Sequence, residues 1–252
     1  MKGVLALVAV RLKSTRLPRK ALCDLAGQPL ILRLDERLRL AQTPERIVWC
    51  TSTAVTDDPL AALAAQRGIA CFRGDELDVM SRFIAVAREH AGHTVIRITG
   101  DNPLTDPVAL DFMVEEHLRE KAEYTYISEN GMPRGTRCEI ISVPALERCH
   151  ALAEDPLASE YMTLMLRRPD RFNILQVTPP EAAVHRRDLR LTVDTPEDLT
   201  VMQAIFSAFN GNPPKLSEII HWLDRNAHVV AMNSVQTPAD LPETVNVRLR
   251  GD

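Results

Sequence analysis

The sequence predicts an α/β fold, a three-layer α/β/α sandwich around a mostly parallel sheet. Three observations carry this. Apolar runs of strand length alternate with segments of helical period along the first half of the chain. The first run, "GVLALVAV" (3–10), is apolar at every position, as a strand covered on both faces must be. Charged residues gather just after such runs, at the edge where open α/β sheets bind their ligands.

The elements follow in order. After the first strand, "PLILRLDERLRLAQ" (29–42) places apolar residues at helical spacing between arginines and acids. "RIVWCTS" (46–52) is a second strand, and "DPLAALAAQRG" (58–68) a helix ending on Gly68. "IACF" (69–72) is a third strand and "LDVMSRFIAVAREH" (77–90) a helix. "HTVIRIT" (93–99) is a fourth strand, and the helix at 106–120 has Asp106 as its cap and Pro107 in its first turn. The second half is less regular. Strands are expected at 122–128 and 137–142, around a loop containing glycine and proline, and helices at 144–153 and 157–168. "DLRLTV" (188–193) reads as a strong strand, followed by helices at 196–209 and 215–225. Residues 1–233 read as one domain and 234–252 as an extended arm or disordered tail.

Composition narrows the classes. A chain of 252 residues builds a core without disulfide or metal staples. The net charge of −4 argues against a nucleic-acid binder, so positive charge matters only where it is concentrated. Five cysteines form no CxxC pair, which fits reduced thiols in a cytoplasmic protein, with Cys50 and Cys71 as buried packing residues. The first apolar run stops at Arg11, too short for a membrane span. Seven scattered histidines offer no HxH or HExxH pattern for zinc.

Charge is concentrated in "VRLKSTRLPRKAL" (10–22), where Arg11, Lys13, Arg16, Arg19 and Lys20 follow the first buried strand. Loops at such positions turn backbone N–H groups toward anions, and here Ser14, Arg11, Arg16 and Lys20 add side-chain donors suited to phosphate. Neither a Walker A loop nor a Rossmann glycine fingerprint is present. In "RITGDNPLTDP" (97–107), Asp101 follows Gly100 at another strand end, a position suited to Mg²⁺ shared with substrate phosphates. In "RLTVDTPEDL" (190–199), Asp194 is either a second metal carboxylate or, with Thr195, a helix cap. In "CFRGDELDVMSRF" (71–83), Arg73 and Asp75 are candidates for a nucleotide contact, with Asp75 or Asp78 meeting a ribose or sugar hydroxyl, and capping of the next helix by Asp75 or Glu76 is an equal alternative. In "PRGTRCEI" (133–140), Arg134 and Arg137 suit an acidic acceptor and Glu139 is placed to face it.

Taken together, "VRLKSTRLPRKALCDLAGQPLILRLDERLR", "FRGDELDVMSRF", "RITGDNPLTDP" and "LTVDTPEDL" resemble the cytidylyltransferases that activate acidic sugars, in the order that family has them. The SpsF-like branch is the nearest in pattern, with CMP-Kdo and CMP-sialic acid synthetases more distant. The resemblance implies a nucleotide-diphospho-sugar transferase fold, CTP as donor, Mg²⁺ as cofactor, an acidic sugar-like acceptor and a homodimer. It implies that Arg11, Ser14, Arg16 and Lys20 hold the triphosphate, with Arg73, Asp75 and Gly100 also on the nucleotide side. It assigns Asp101 and Asp194 to the metal, and Arg97, Arg134, Gly135 and Glu139 to the acceptor. Lys20, Arg11 and Asp101 are the residues it places closest to the chemistry.

The chain departs from the family's pattern at Lys13 and Arg19, where glycines are usual, at Arg137, where an acid is frequent, and at Tyr161, where histidine is. Two alternatives remain at this level. One is a glycosyltransferase of the same fold, for which "GDN" at 100–102 supplies one acid of a D-x-D pattern; the other is a nucleotide-binding protein without turnover.

Overall fold

The computed structural model describes residues 1–128, 131–234 and 245–251. Its strands are β1 (Val4–Ala9), β2 (Asp24–Leu25), β3 (Gln28–Pro29), β4 (Arg46–Ser52), β5 (Cys71–Gly74), β6 (Thr94–Thr99), β7 (Tyr124–Ile127), β8 (Glu139–Ser142) and β9 (Ile174–Val177). Its α-helices are α1 (Leu30–Leu38), α2 (Asp58–Arg67), α3 (Val79–Glu89), α4 (Pro107–Arg119), α5 (Val143–Leu152), α6 (Met162–Leu166), α7 (Pro196–Ala208), α8 (Leu216–Arg225) and α9 (Ala227–Ala231).

Seven strands form one sheet in the order β5-β4-β1-β6-β8-β7-β9, and β2 and β3 form a separate short ribbon. In the large sheet β1 pairs in parallel with β4 and β6, and β4 with β5. β8 alone runs antiparallel, between β6 and β7. Alternation along the strands sends side chains to two separate cores. Val4, Ala6 and Val8 pack on one face with α1, α4 and α7 residues such as Leu34, Leu110 and Ile205. Leu5 and Leu7 pack on the other with α3 and α5 residues such as Phe83 and Leu146. Three layers follow from that division, as the apolar first strand requires.

Local signals place the helices. Gly68 ends α2 in the left-handed conformation (φ 65°) and Asp106 caps α4 by accepting from the Ala109 N–H at 2.8 Å. α3 starts at Val79, later than expected, because Asp78 is its cap, accepting from the Ser81 N–H at 2.9 Å. The helix expected at 157–168 is split: a 3₁₀ segment, Pro156–Tyr161, precedes α6. Its buried Ser159 accepts from the Val79 N–H at 2.7 Å, which ties this segment to the start of α3.

Two expectations are corrected, and one strand was not foreseen. "DLRLTV" (188–193) is extended but is no sheet strand. It makes one parallel bridge, Arg134 to Arg190, and bonds to loops: Leu191 N–H to the Arg134 carbonyl and Val193 N–H to the Asp101 carbonyl. Its alternating Leu189, Leu191 and Val193 are buried beneath those loops, which gives a strand-like pattern without a strand neighbour. Cys71 is only half-buried, because β5 is an edge strand, whereas Cys50 is fully buried. β9, short and half-exposed at the opposite edge, carries too weak an alternation to be read in advance. Of the expected arm, residues 235–244 lie outside the described residues. Leu249 is buried and bridges Ala153, which seats this stretch against the end of α5.

Two glycines let the segments around the strand ends approach closely. A Cβ on Gly100 would lie 2.7 Å from the Val10 Cβ. Gly135 has φ +92°, and a Cβ there would lie 2.4 Å from the backbone of Leu191 and Thr192. The 133–137 loop therefore crosses the 189–193 segment in direct backbone contact. Gly135→Ala should lower stability by about 2–4 kcal/mol, from left-handed strain plus the clash. Denaturant unfolding at equilibrium checks this, and a loss below about 0.5 kcal/mol would show that the crossing yields easily.

Candidate active site

The C-terminal ends of β1 and β6 lie side by side, with Ala9 in register with Thr99. Over them opens a cleft of about 600 Å³. The 10–22 loop forms one wall, contributing Arg11, Lys13, Ser14, Arg16 and Lys20, and Gly100, Asp101 and Asp194 line the floor. Arg97, Arg134 and Gly135 reach it from the opposite side.

Lys20 is the centre of the arrangement. Its ammonium donates to Asp101 Oδ2 at 2.6 Å and to Asp194 Oδ1 at 2.9 Å. Burial disfavours that charge, but the two carboxylates outweigh burial and hold the lysine pKa above its ordinary value. Arg16 lies 3.2 Å from the same Asp194 oxygen. Burial pushes the Asp194 carboxyl up, and Lys20, Arg16 and Arg190 together pull it below the ordinary carboxylate range.

Sequence alone left Asp194 as either helix cap or ligand, and the structure gives the cap to Thr195. Its hydroxyl accepts from the Asp198 N–H at 3.3 Å, and the Asp198 carboxylate accepts from the Thr195 N–H at 3.1 Å. This capping box starts α7 and leaves the Asp194 side chain for the cleft. Behind it stands a pair the motif reading did not single out. Asp198, fully buried, receives Arg190 Nε at 2.8 Å and a second guanidinium nitrogen at 2.9 Å. Asp198 also accepts from Asn233 at 2.9 Å and from the Asp194 N–H at 3.0 Å. Arg190 in turn holds Asp194 Oδ2 at 3.0 Å. The signal available was the i,i+4 spacing of Arg190, Asp194 and Asp198.

The other candidates divide. Arg11 lines the cleft and pairs with Glu160 at 2.5 Å. Lys13 lines it too and pairs with Glu76 at 3.1 Å. Arg19, where the resembled pattern has glycine, adopts φ 57°, the left-handed conformation glycine takes freely. Arg73 and Asp75 are not among the cleft's lining residues. Arg73 folds back onto the Ser52 and Ala54 carbonyls and Asp58. The Asp75 carboxylate accepts from the Leu77 and Asp78 N–H groups, shaping the turn before α3. Glu139 does not stand free toward an acceptor. It receives Arg97 at 2.7 Å, the Thr163 hydroxyl at 2.9 Å and the Tyr124 hydroxyl. Burial pushes its carboxyl up, but Arg97 and these hydroxyls bring it below the usual range, so Glu139 is ionised and anchors Arg97.

Two carboxylates from different segments thus converge on one cationic point, in a cleft whose other charged lining residues are basic apart from Glu160. Among the described residues no group of three or more His, Cys, Asp or Glu could enclose a metal. The oxygen pair suits a hard divalent cation that takes its remaining ligands from a phosphorylated substrate and water. No helix among the described residues is long and apolar enough to cross a membrane.

The profile of the cytidylyltransferase family matches residues 5–236. The chain belongs to that family. The spore coat polysaccharide biosynthesis protein SpsF of Bacillus subtilis is 33% identical over 235 residues, covering 90% of this chain and 96% of SpsF. A cytidylyltransferase structure from Leptospira borgpetersenii superposes with a TM-score of 0.84 at 24% identity, covering 95% of this chain and all of that one. A CMP-2-keto-3-deoxy-manno-octonic acid synthetase, solved with CTP, superposes at 0.61 and 16% identity, covering 83% of this chain and all of that one. The sandwich is therefore an α/β nucleotidyltransferase fold.

Asp198→Asn should destabilise the protein by about 3–5 kcal/mol at neutral pH, because it leaves Arg190, whose side chain is only 10% exposed, without its full counter-charge. The Asp198 carboxyl is held below its ordinary value of 3.8; burial alone would raise it, and Arg190 and Asn233 reverse the sign. The stabilisation is thus fully present above the unfolded-state value and is lost as pH falls through the lower folded value. Urea unfolding of both proteins should show a constant gap above about pH 5 that narrows only below about pH 4. A gap that closes between pH 6 and 8 would contradict the assignment.

Proposed function

We propose that the protein transfers CMP from CTP to an anionic sugar or sugar-phosphate-like acceptor, releasing pyrophosphate, with Mg²⁺ held by Asp101 and Asp194. The observation that carries this reading is the convergence of both aspartates on the Lys20 ammonium, inside a basic cleft at the strand ends. The family's activity and the CTP in a structural neighbour support it.

In this reading the acceptor oxygen forms a bond to the α-phosphorus while the bond to the bridging oxygen breaks, and that electron pair departs with pyrophosphate. Arg11, Arg16 and Ser14 hold the β- and γ-phosphates by charge-assisted hydrogen bonds. Lys20 faces the growing negative charge on the leaving group. A divalent cation held by Asp101 and Asp194 would supply charge neutralisation at the α-phosphate and would ease loss of an acceptor hydroxyl's proton to solvent. Gly100 brings the strand ends close enough for Asp101 to stand beside the phosphate loop, and Arg190 fixes Asp194 opposite it. Positioning and electrostatics do most of the work, as in phosphoryl transfer generally.

Pyrophosphate release from CTP and Mg²⁺ with a panel of ulosonic acids, sugar phosphates and phosphonates tests the reading. Release with at least one acceptor is expected, and none with any nucleotide–acceptor pair would overturn it. Lys20→Ala should cost about 10²–10³-fold in kcat, on the scale of one lost electrostatic donor. The double change Lys13→Gly and Arg19→Gly should leave turnover largely intact, since these two are additions to the family's pattern. Full activity in Asp101→Asn would remove the metal assignment alone.

A further inference from the structure

The cleft is lined by one further cation that the motifs above do not include. Arg82 lies in the first turn of α3, lines the cleft beside Val79, and is only 2% exposed. Its Nη1 donates to the Cys50 carbonyl at 2.8 Å. Its Nε is buried with no hydrogen-bond partner. Among the described residues its Nη2 makes no hydrogen bond and the side chain makes no ion pair.

Two carboxylates act on this charge from a distance, and both are engaged elsewhere. Asp57 accepts from the Leu12 N–H at 2.7 Å and from the Ser52 hydroxyl. Asp75 accepts from the Leu77 and Asp78 N–H groups. Burial lowers the Arg82 pKa, and the like charge of Arg11 pushes it the same way. A guanidinium does not lose its proton in a protein, so this charge stays buried and unpaired, which is costly.

Position indicates what would compensate it. The Cys50 carbonyl that receives Arg82 also receives the Val10 N–H at 3.3 Å. The guanidinium is therefore pinned at the root of the 10–22 loop, next to the residue that precedes Arg11. The cleft thus has two cationic points. Lys20 and Arg16 meet Asp194, and Lys20 also meets Asp101. Arg11 meets only the Glu160 carboxylate, at 2.5 Å, which shows that an anion reaches this second point. A base or a sugar hydroxyl could accept a hydrogen bond from Arg82, but only an anion also offsets its repulsion with Arg11. We infer that Arg82 joins Arg11 in binding the terminal phosphates of the nucleoside triphosphate, whose α-phosphate lies toward Asp101 and Asp194. The inference rests on the transfer reading above and adds a binding residue to it.

Calorimetry on the full chain, with CTP and with inorganic tripolyphosphate, each with Mg²⁺, tests it. Arg82→Gln, checked for folding by circular dichroism, should weaken both about tenfold, the scale of one lost charge-assisted hydrogen bond. Arg82→Lys, which keeps the charge, should recover part of that loss for both. Unchanged CTP binding in Arg82→Gln overturns the inference. So does a loss confined to CTP, which would place Arg82 on the nucleoside. Both outcomes leave the transfer reading standing. If Arg82→Gln does not fold, a crystal structure of the wild-type chain with CTP decides. A β- or γ-phosphate oxygen within hydrogen-bond distance of Arg82 Nη2 is expected, and a guanidinium without phosphate contact overturns the inference. Failure of CTP to bind the wild-type chain strikes the transfer reading, and this one with it.

Discussion

The structure turns on one ammonium group shared by two carboxylates that are distant in the chain. Lys20, Asp101 and Asp194 come from a loop, a strand end and a segment before α7, and no local propensity would bring them together. Each carboxylate at such a point repels the other, and the lysine makes their approach favourable. The rest of the molecule serves that approach. Parallel strands bring the ends of β1 and β6 to one edge, Gly100 narrows the gap between them, and Gly135 lets the 189–193 segment pass underneath. Asp198 and Arg190 then fix the last member from behind, in a buried pair whose four close contacts leave Asp194 little freedom.

Much of this was legible in the sequence, for identifiable reasons. Fully apolar strands, Gly68, Asp106 and Pro107 act locally, so the first half of the fold follows from short-range rules. The basic loop and the strand-end aspartates were legible because strand topology decides where their backbones end. What escaped depends on tertiary direction. Arg73 and Asp75 sit at a strand end like Asp101, but on an edge strand whose side chains find partners in the neighbouring loop before they reach the cleft. "DLRLTV" alternates like a strand because loops on one side and core on the other bury the same residues a sheet would. Arg190 and Asp198 were invisible as a unit, since their role exists only once Asp194 is placed.

Glu139 illustrates a subtler limit. Sequence position put it on the acceptor side, whereas in the structure three donors already occupy the carboxylate. Its contribution is to orient Arg97. An acid close to a binding cavity can thus belong to the scaffold, and only the count of its partners shows the difference.

The antiparallel course of β8 has a consequence for how such a protein can change. Every parallel strand delivers its C-terminal end to the ligand edge, but β8 delivers its first residue, Glu139, there. The segment that leads into β8, rather than one that leaves it, therefore walls a smaller cavity beside the cleft with Arg134 and Arg137. That approach is tied to both sides of β8: Gly135 lies against the backbone of Leu191 and Thr192, and the Thr136 carbonyl accepts from the Asp106 N–H at the start of α4, so a change there is felt across the whole edge.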